Sequence, residues 1–241
     1  PDWIVNAAAY TAVDQAESEP EQASAGNAQA PGMLAAACAE AGCRLVHVST
    51  DFVFNGHASE PYSPDSATSP LGVYGQTKRD GEIAVVSNLP DALIVRTGWV
   101  YSAHGNNFVK TMLRLMSERE QLGVVADQVG TPTWAAGLAE ILWAFALRSD
   151  LTGIYHWSDA GVCSWYDFAV AIQEEGISQG LLDRAVPITP IAASAYPTPA
   201  RRPAYSVLDK SGTWSDLEVS GVHWRVQLRA MLEQLKENKH E

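Results

Sequence analysis

Tyr74 and Lys78 stand four residues apart in "GVYGQTKRDGE" (72–82), and on a helix that spacing puts a phenol and an ammonium on one face. A free phenol titrates near 10, and a cation within about 4–6 Å favours the phenolate, lowering that value by roughly 1–3 units. Such a pair can give and take a proton near neutrality. The plainer reading is a helix surface on which the two residues fall by chance. Two features favour chemistry: Lys78 is the only lysine before Lys110, and the pair follows the run "CRLVHVST" (43–50) across one long polar loop. If that run is a strand, Ser49, Thr50 and Asp51 emerge at its carboxyl end, where open α/β sheets bind ligands. A hydroxyl there can hold a carbonyl oxygen that takes its proton from Tyr74, while a nicotinamide cofactor supplies hydride.

The elements that must hold this arrangement are legible from periodicity. "WIVNAAA" (3–9), "CRLVHVST" (43–50), "DALIVRTGWVY" (91–101) and "GVVADQ" (123–128) read as four strands. Between them, 21–40, about 70–86 and 106–120 read as helices, the first with "PG" at 31–32 as an irregularity and Gly42 as its stop. Strands alternating with helices of this length predict an α/β fold, a Rossmann-like doubly wound parallel sheet. Downstream, 135–149 is helical, 153–159 a short strand, 165–176 an amphipathic helix, and a Pro-rich connection (187–203) leads to a closing helix near 222–237. The expected division is a nucleotide-binding part over 1–127 and a smaller α+β lobe over 128–241, with helix 135–149 packing back on the sheet.

Composition narrows the class. The chain has 241 residues, 46% of them hydrophobic, and a net charge of −12, so it can bury a sizeable core but has no basic stripe for nucleic acid. Any anionic substrate must be held by a few arginines or backbone N–H groups. Three cysteines, Cys38, Cys43 and Cys163, make neither a CxxC pair nor an even set, which suits a reduced, cytoplasmic compartment. No apolar run reaches the roughly 18 residues of a membrane span. His47 and His156 lie within strands and read as core residues, and no His or carboxylate spacing suggests a metal.

Taken together, "VNAAAYTAVDQAESEP" (5–20), "VHVSTDFVFNG" (46–56), "SPLGVYGQTKRDGE" (69–82), "IVRTGWVYSAHGNNFVKTML" (94–113), "DQVGTPTWA" (127–135) and "YPTPARRPAYSVLD" (196–209) resemble the extended short-chain dehydrogenase/reductases, and among them the nucleotide-sugar reductases that close dTDP-L-rhamnose synthesis. The resemblance implies NADPH-dependent reduction of the 4-keto group of dTDP-4-dehydro-L-rhamnose, with Thr50, Tyr74 and Lys78 catalytic. Lys78 would also bind the nicotinamide ribose. Ala7, Ala8, Ala9, Tyr10 and Val100 would line the cofactor, NADPH or alternatively NADH. Asp51, Phe52, Trp99, Asn107 and Arg202 would meet the nucleotide sugar, Asn107 and the Arg201–Arg202 pair at its diphosphate. Each has an ordinary alternative: a close-packed strand end for the alanines, a core Trp, an N-cap for Asn107, a surface ion pair for the arginines. Some relatives carry magnesium at a dimer contact, but no residues here allow that ion to be transferred. A monomer or a homodimer, without nucleic-acid or membrane partners, is expected.

Dehydratases of the same superfamily place Glu after the Asp that follows the Thr, whereas here Asp51 is followed by Phe52, which favours simple ketone reduction. Phe52 also replaces the Tyr common among the reductases. The other readings are a neighbouring nucleotide-sugar reductase or epimerase, and a non-catalytic binding subunit like the regulatory subunit of methionine adenosyltransferase. Neither G-x-G-x-x-G nor G-x-x-G-x-x-G occurs near Pro1, although a glycine-rich turn ordinarily cradles the pyrophosphate. The expectation is therefore a piece of a longer reading frame that by itself binds NADPH weakly. Titration by cofactor fluorescence checks this, and micromolar affinity contradicts it.

Overall fold

The computed structural model describes residues 1–238. In chain order its strands are β1 (Trp3–Asn6), β2 (Arg44–Thr50), β3 (Leu93–Thr97), β4 (Val100–Tyr101), β5 (Leu122–Val125), β6 (Val129–Gly130), β7 (Thr133–Trp134), β8 (Gly153–His156), β9 (Cys163–Ser164) and β10 (Ile188–Ile191). Its helices are α1 (Val13–Ala16), α2 (Pro20–Ser24), α3 (Ala30–Ala41), α4 (Val73–Asn88), α5 (Phe108–Glu118), α6 (Ala135–Ala146), α7 (Trp165–Ser178), α8 (Ser211–Asp216) and α9 (Trp224–Glu237). They group into two compact units. Among the described residues one comprises 1–98, 139–157 and 198–219, and the other 99–138, 158–197 and 220–238. The units interleave along the chain, unlike the linear split expected at 127.

The first unit holds a four-stranded parallel sheet in the order β1-β2-β3-β8. Its fourth strand is therefore Gly153–His156, and the run expected there, 123–128, instead forms β5 and pairs with β10 in the second unit. Both are short apolar β-branched runs, and periodicity alone cannot say which joins a given sheet. Alternation along the strands turns Leu45, Ile94 and Ile4 to one face, where they pack with Ala35 and Cys38 of α3 and Val85 of α4. Tyr155 points to the other face and meets Phe145 of α6, ring centroids 4.7 Å apart.

Helix α4 lies against its neighbours at backbone distance because two of its residues lack side chains. A Cβ at Gly75 would stand 2.2 Å from the carbonyl oxygen of Phe52, and one at Gly81 would stand 2.0 Å from that of Asn27. The irregularity expected at Pro31–Gly32 falls earlier: Ala25–Gln29 form a π-helical turn joining α2 to α3, while Pro31 sits in the first turn of α3, where its missing N–H costs nothing. The run expected as one strand over 91–101 breaks at Gly98–Trp99, where Trp99 takes a φ of +52°, a left-handed value rare for a bulky residue.

In the second unit α5, α7 and α9 close on Val109, Met116, Phe168, Ile172, Leu228, Met231 and Leu232, all buried. A capping box between Ser164 and Asp167 starts α7. No helix among the described residues is long and apolar enough to cross a membrane.

Beneath the first unit's sheet edge lies a buried ion pair. Glu82 of α4 accepts from Arg96 of β3 through both oxygens, Nε to Oε1 at 2.9 Å and Nη2 to Oε2 at 2.8 Å, with both side chains about 5% exposed or less. Ser49 donates to the same carboxylate, and Arg96 Nη1 donates to the Pro64 carbonyl in the long loop. Removing one partner strands the other charge in the core. Glu82→Ala is expected to lower stability by about 3–5 kcal/mol, read as a urea midpoint; an unchanged midpoint would show that the pair holds nothing.

Candidate active site

The parallel registers bring the carboxyl ends of β1, β2 and β3 to one edge, with Asn6 opposite His47 and Thr50 opposite Thr97. Thr50, Asp51, Phe52, Tyr74 and Lys78 meet there. The Thr50 hydroxyl donates to Asp51 Oδ1 at 3.1 Å and accepts from the Phe52 N–H at 3.2 Å. Phe52 packs edge-on against the Tyr74 ring, centroids 5.5 Å apart. Lys78 is buried, and its Nζ donates to the Val48 carbonyl at 2.7 Å.

The electrostatics depart from the sequence expectation. Desolvation pushes the Tyr74 phenol up to about 12; the Thr50 hydroxyl opposes this and the Asp51 carboxylate adds to it. Burial draws the Lys78 ammonium down to about 8, against the pull of Glu82 one turn along. The expected lowering of the phenol by its ammonium neighbour is thus absent, because Lys78 spends its contact on a strand carbonyl. Tyr74 is a protonated donor across the physiological range.

The turn after β1 is tied to α4 by a residue that sequence reasoning passed over. Asn27, buried in the π-helical turn, accepts from the Tyr10 N–H at 2.9 Å and donates to the Tyr10 carbonyl at 3.0 Å and to Thr77 Oγ1 at 3.2 Å. Thr77 in turn donates to the Tyr74 carbonyl at 3.0 Å. The signal was a lone Asn, a weak helix former, inside an Ala-rich helix. Ala7 and Ala8 are exposed and Ala9 and Tyr10 half-buried, and the Asn6 side chain accepts from the Ala8 N–H at 3.2 Å. His47 is buried with Nδ1 facing the Asn6 amide at 3.1 Å and Nε2 without a partner, so this core histidine is satisfied on one nitrogen only.

Arg202 also belongs to the first unit, and its fork is engaged. Nη1 and Nη2 donate to Asp14 Oδ1 and Oδ2 at 3.1 and 2.8 Å, holding the Asp14 carboxyl below its usual range. Arg201 beside it is exposed. Trp99, Val100 and Asn107 lie in the second unit. Trp99 stacks on Trp165 with centroids 3.5 Å apart and planes within 5°, Val100 is 45% exposed on β4, and Asn107 caps α5. Its Oδ1 accepts from the Lys110 N–H at 3.2 Å while Nδ2 donates to the Ser102 carbonyl at 2.6 Å. Among the described residues no group of three or more His, Cys, Asp or Glu side chains could hold a metal ion.

Asp51 is 2% exposed, its Oδ2 has no partner, and burial raises its carboxyl to about 6, against hydrogen bonds from Ser206 and Thr50. A carboxyl raised in the fold favours folding fully below its unfolded value near 3.9, and that advantage is lost as pH climbs through about 6. Two units correspond to on the order of 3 kcal/mol. Asp51→Asn is expected to stabilise the protein by that order at pH 7.5, with the gain shrinking toward zero as pH falls to about 4. Urea midpoints across this range check it, and a pH-independent difference contradicts it.

The model of the family described as "RmlD substrate binding domain" matches residues 1–237. A dTDP-4-dehydrorhamnose reductase of Escherichia coli K12 is 44% identical over 98% of this chain and 80% of its own length, and that of Burkholderia thailandensis is 45% identical over 93% and 79%. The crystal structure of a dTDP-4-dehydrorhamnose reductase from Bacillus anthracis in complex with NADP superposes with a TM-score of 0.90 at 37% identity, over 97% of this chain and 81% of that one. The chain belongs to the RmlD substrate-binding-domain family.

Proposed function

We propose that the chain carries the proton-transfer machinery for NADPH-dependent reduction of the 4-keto group of dTDP-4-dehydro-L-rhamnose to dTDP-L-rhamnose. One observation carries the reading: Thr50 and Tyr74 meet at the carboxyl end of β2, near enough for the hydroxyl to favour the ionised phenol, and Lys78 sits one turn along the same helix. The names of the relatives and the NADP in the B. anthracis structure support it. The residues fit a nicotinamide dinucleotide. The accessible turn Ala7–Ala9 offers only methyl groups at the carboxyl edge, so a backbone-hugging ligand meets no bulk there. Ala7, Ala8, Ala9 and Tyr10 would hold the dinucleotide, with Lys78 at the nicotinamide ribose. When bound, it supplies the hydride that reduces the carbonyl carbon.

Tyr74 gives its phenolic proton to the carbonyl oxygen as hydride reaches the carbon, and the product is the secondary alcohol. Thr50 has one hydroxyl proton, which without substrate goes to Asp51. Turned onto the ketone oxygen, it orients that oxygen toward Tyr74. The phenolate left behind is unfavourable in so desolvated a position, so it needs the Lys78 cation nearby. Glu82 sustains that cation by favouring the protonated amine. At the nucleotide end a diphosphate would compete with Asp14 for the fork of Arg202, and Asp51 and Phe52 would meet the rest of the substrate.

The test is loss of NADPH absorbance with dTDP-4-dehydro-L-rhamnose. Tyr74→Phe is expected to reduce turnover by on the order of 10²–10⁴-fold without weakening cofactor binding; equal turnover would remove Tyr74 from the reaction. For the unsubstituted protein kcat/KM should fall above about pH 8, where Lys78 loses its proton. Lys78→Arg, whose guanidinium keeps its charge, should lose that alkaline limb.

A further inference from the structure

Helix α4 begins without a side-chain cap of its own. Its N-cap is Gly72, which has no group to offer the N–H donors of the first turn. The acceptor comes from 56 residues upstream, where Glu17 Oε1 accepts from the Val73 N–H at 2.9 Å. A carboxylate at this position also complements the positive end of the helix dipole. Gly72 is needed for the contact, because a Cβ there would lie 2.5 Å from Glu17 Oε1 and drive the carboxylate off.

Glu17 is itself held. It follows α1, whose Ala16 is fully buried and whose Asp14 is gripped by Arg202 and by the Ala200 N–H at 3.1 Å. Two residues on, Glu19 accepts from the Tyr10 hydroxyl at 3.0 Å and from Gln15 Nε2 at 2.6 Å. The short "VDQAESE" segment (13–19) therefore runs as a strut from the 198–202 stretch to the first turn of α4, and Tyr74 is the residue next to the one it grips.

We propose that Glu17 is a positioning residue for Tyr74: by capping α4 from outside the helix it fixes the turn that aims the phenol, and so acts on catalysis without touching substrate. The catalytic half of this rests on the reductase reading above. The structural half does not, and the test separates them.

Amide hydrogen exchange by mass spectrometry, compared over 72–78 and 82–88, reads the clamp directly. Glu17→Ala is expected to speed exchange in the first segment by on the order of fivefold and to leave the second unchanged. Glu17→Gln should restore slow exchange, since its carbonyl oxygen still accepts the N–H. In the reductase assay Glu17→Ala should lower kcat on the order of tenfold with both KM values within about twofold, and Glu17→Gln should recover most of the loss. Unchanged exchange in Glu17→Ala overturns the clamp. Faster exchange with unchanged kcat, or equal losses in the Ala and Gln variants, overturns the positioning role. If the unsubstituted protein does not turn over, the reductase reading falls, and the exchange comparison still decides whether Glu17 holds the turn.

Discussion

The bidentate pair between Glu82 and Arg96 is the constraint on which the first unit turns. It fastens helix α4 to the central strand β3, takes up the hydroxyl of Ser49 next to Thr50, and through the second arm of the guanidinium secures Pro64 in the loop that joins β2 to α4. Two opposite charges taken out of water gain little as a source of net stability. They do make one alignment of helix and strands far better than its neighbours, because any slip leaves a buried charge without its partner. Phe54, whose ring stands 5.1 Å from the guanidinium carbon, and His156, at 3.5 Å, complete the enclosure. With α4 fixed in azimuth, Tyr74 and Lys78 fall at the sheet edge as a consequence of helical spacing.

The same enclosure sets the character of the acid. A phenol beside an accessible ammonium would be a stronger acid, partly ionised before its proton is needed. Here desolvation and the Asp51 carboxylate keep the proton on Tyr74. Asp51 is itself under tension, a buried carboxyl with one oxygen unpartnered. It holds the Thr50 hydroxyl while the ketone is absent, so the edge of β2 stores an interaction that a substrate oxygen can take over. Stability given up at such a carboxyl is a common feature of sites shaped for chemistry.

Much of this was legible in the sequence. The alternating strand and helix signals gave the parallel sheet, and the Tyr–Lys spacing and the Thr at a strand end gave the side chains that meet at its carboxyl edge, because those features are local. What was not legible depends on partners distant along the chain. The fourth sheet strand lay at 153–156, not 123–128, since both runs have the same pattern and only tertiary pairing separates them. The direction of the Tyr74 shift was missed because it depends on where Lys78 points, and a carbonyl acceptor leaves no mark in the sequence. Asn27, Glu17 and the Glu82–Arg96 pair were likewise invisible as contacts, though all but Asn27 lie inside motifs the resemblance had singled out.

The widened turn at Ala25–Gln29 has a consequence for how this helix tolerates change. A turn that closes from residue i to i+5 accommodates one amino acid more than an α-helical turn. Losing a single residue there would take out the extra width, with Pro31 still lacking an N–H to bond across the join. It would also swing everything beyond by about a hundred degrees and carry the Asn27 amide off the peptide it reads at Tyr10. The surplus residue is thus a spacer between two surfaces, and an alignment gap at this point would mark a protein in which the turn after β1 and helix α4 are joined in some other way.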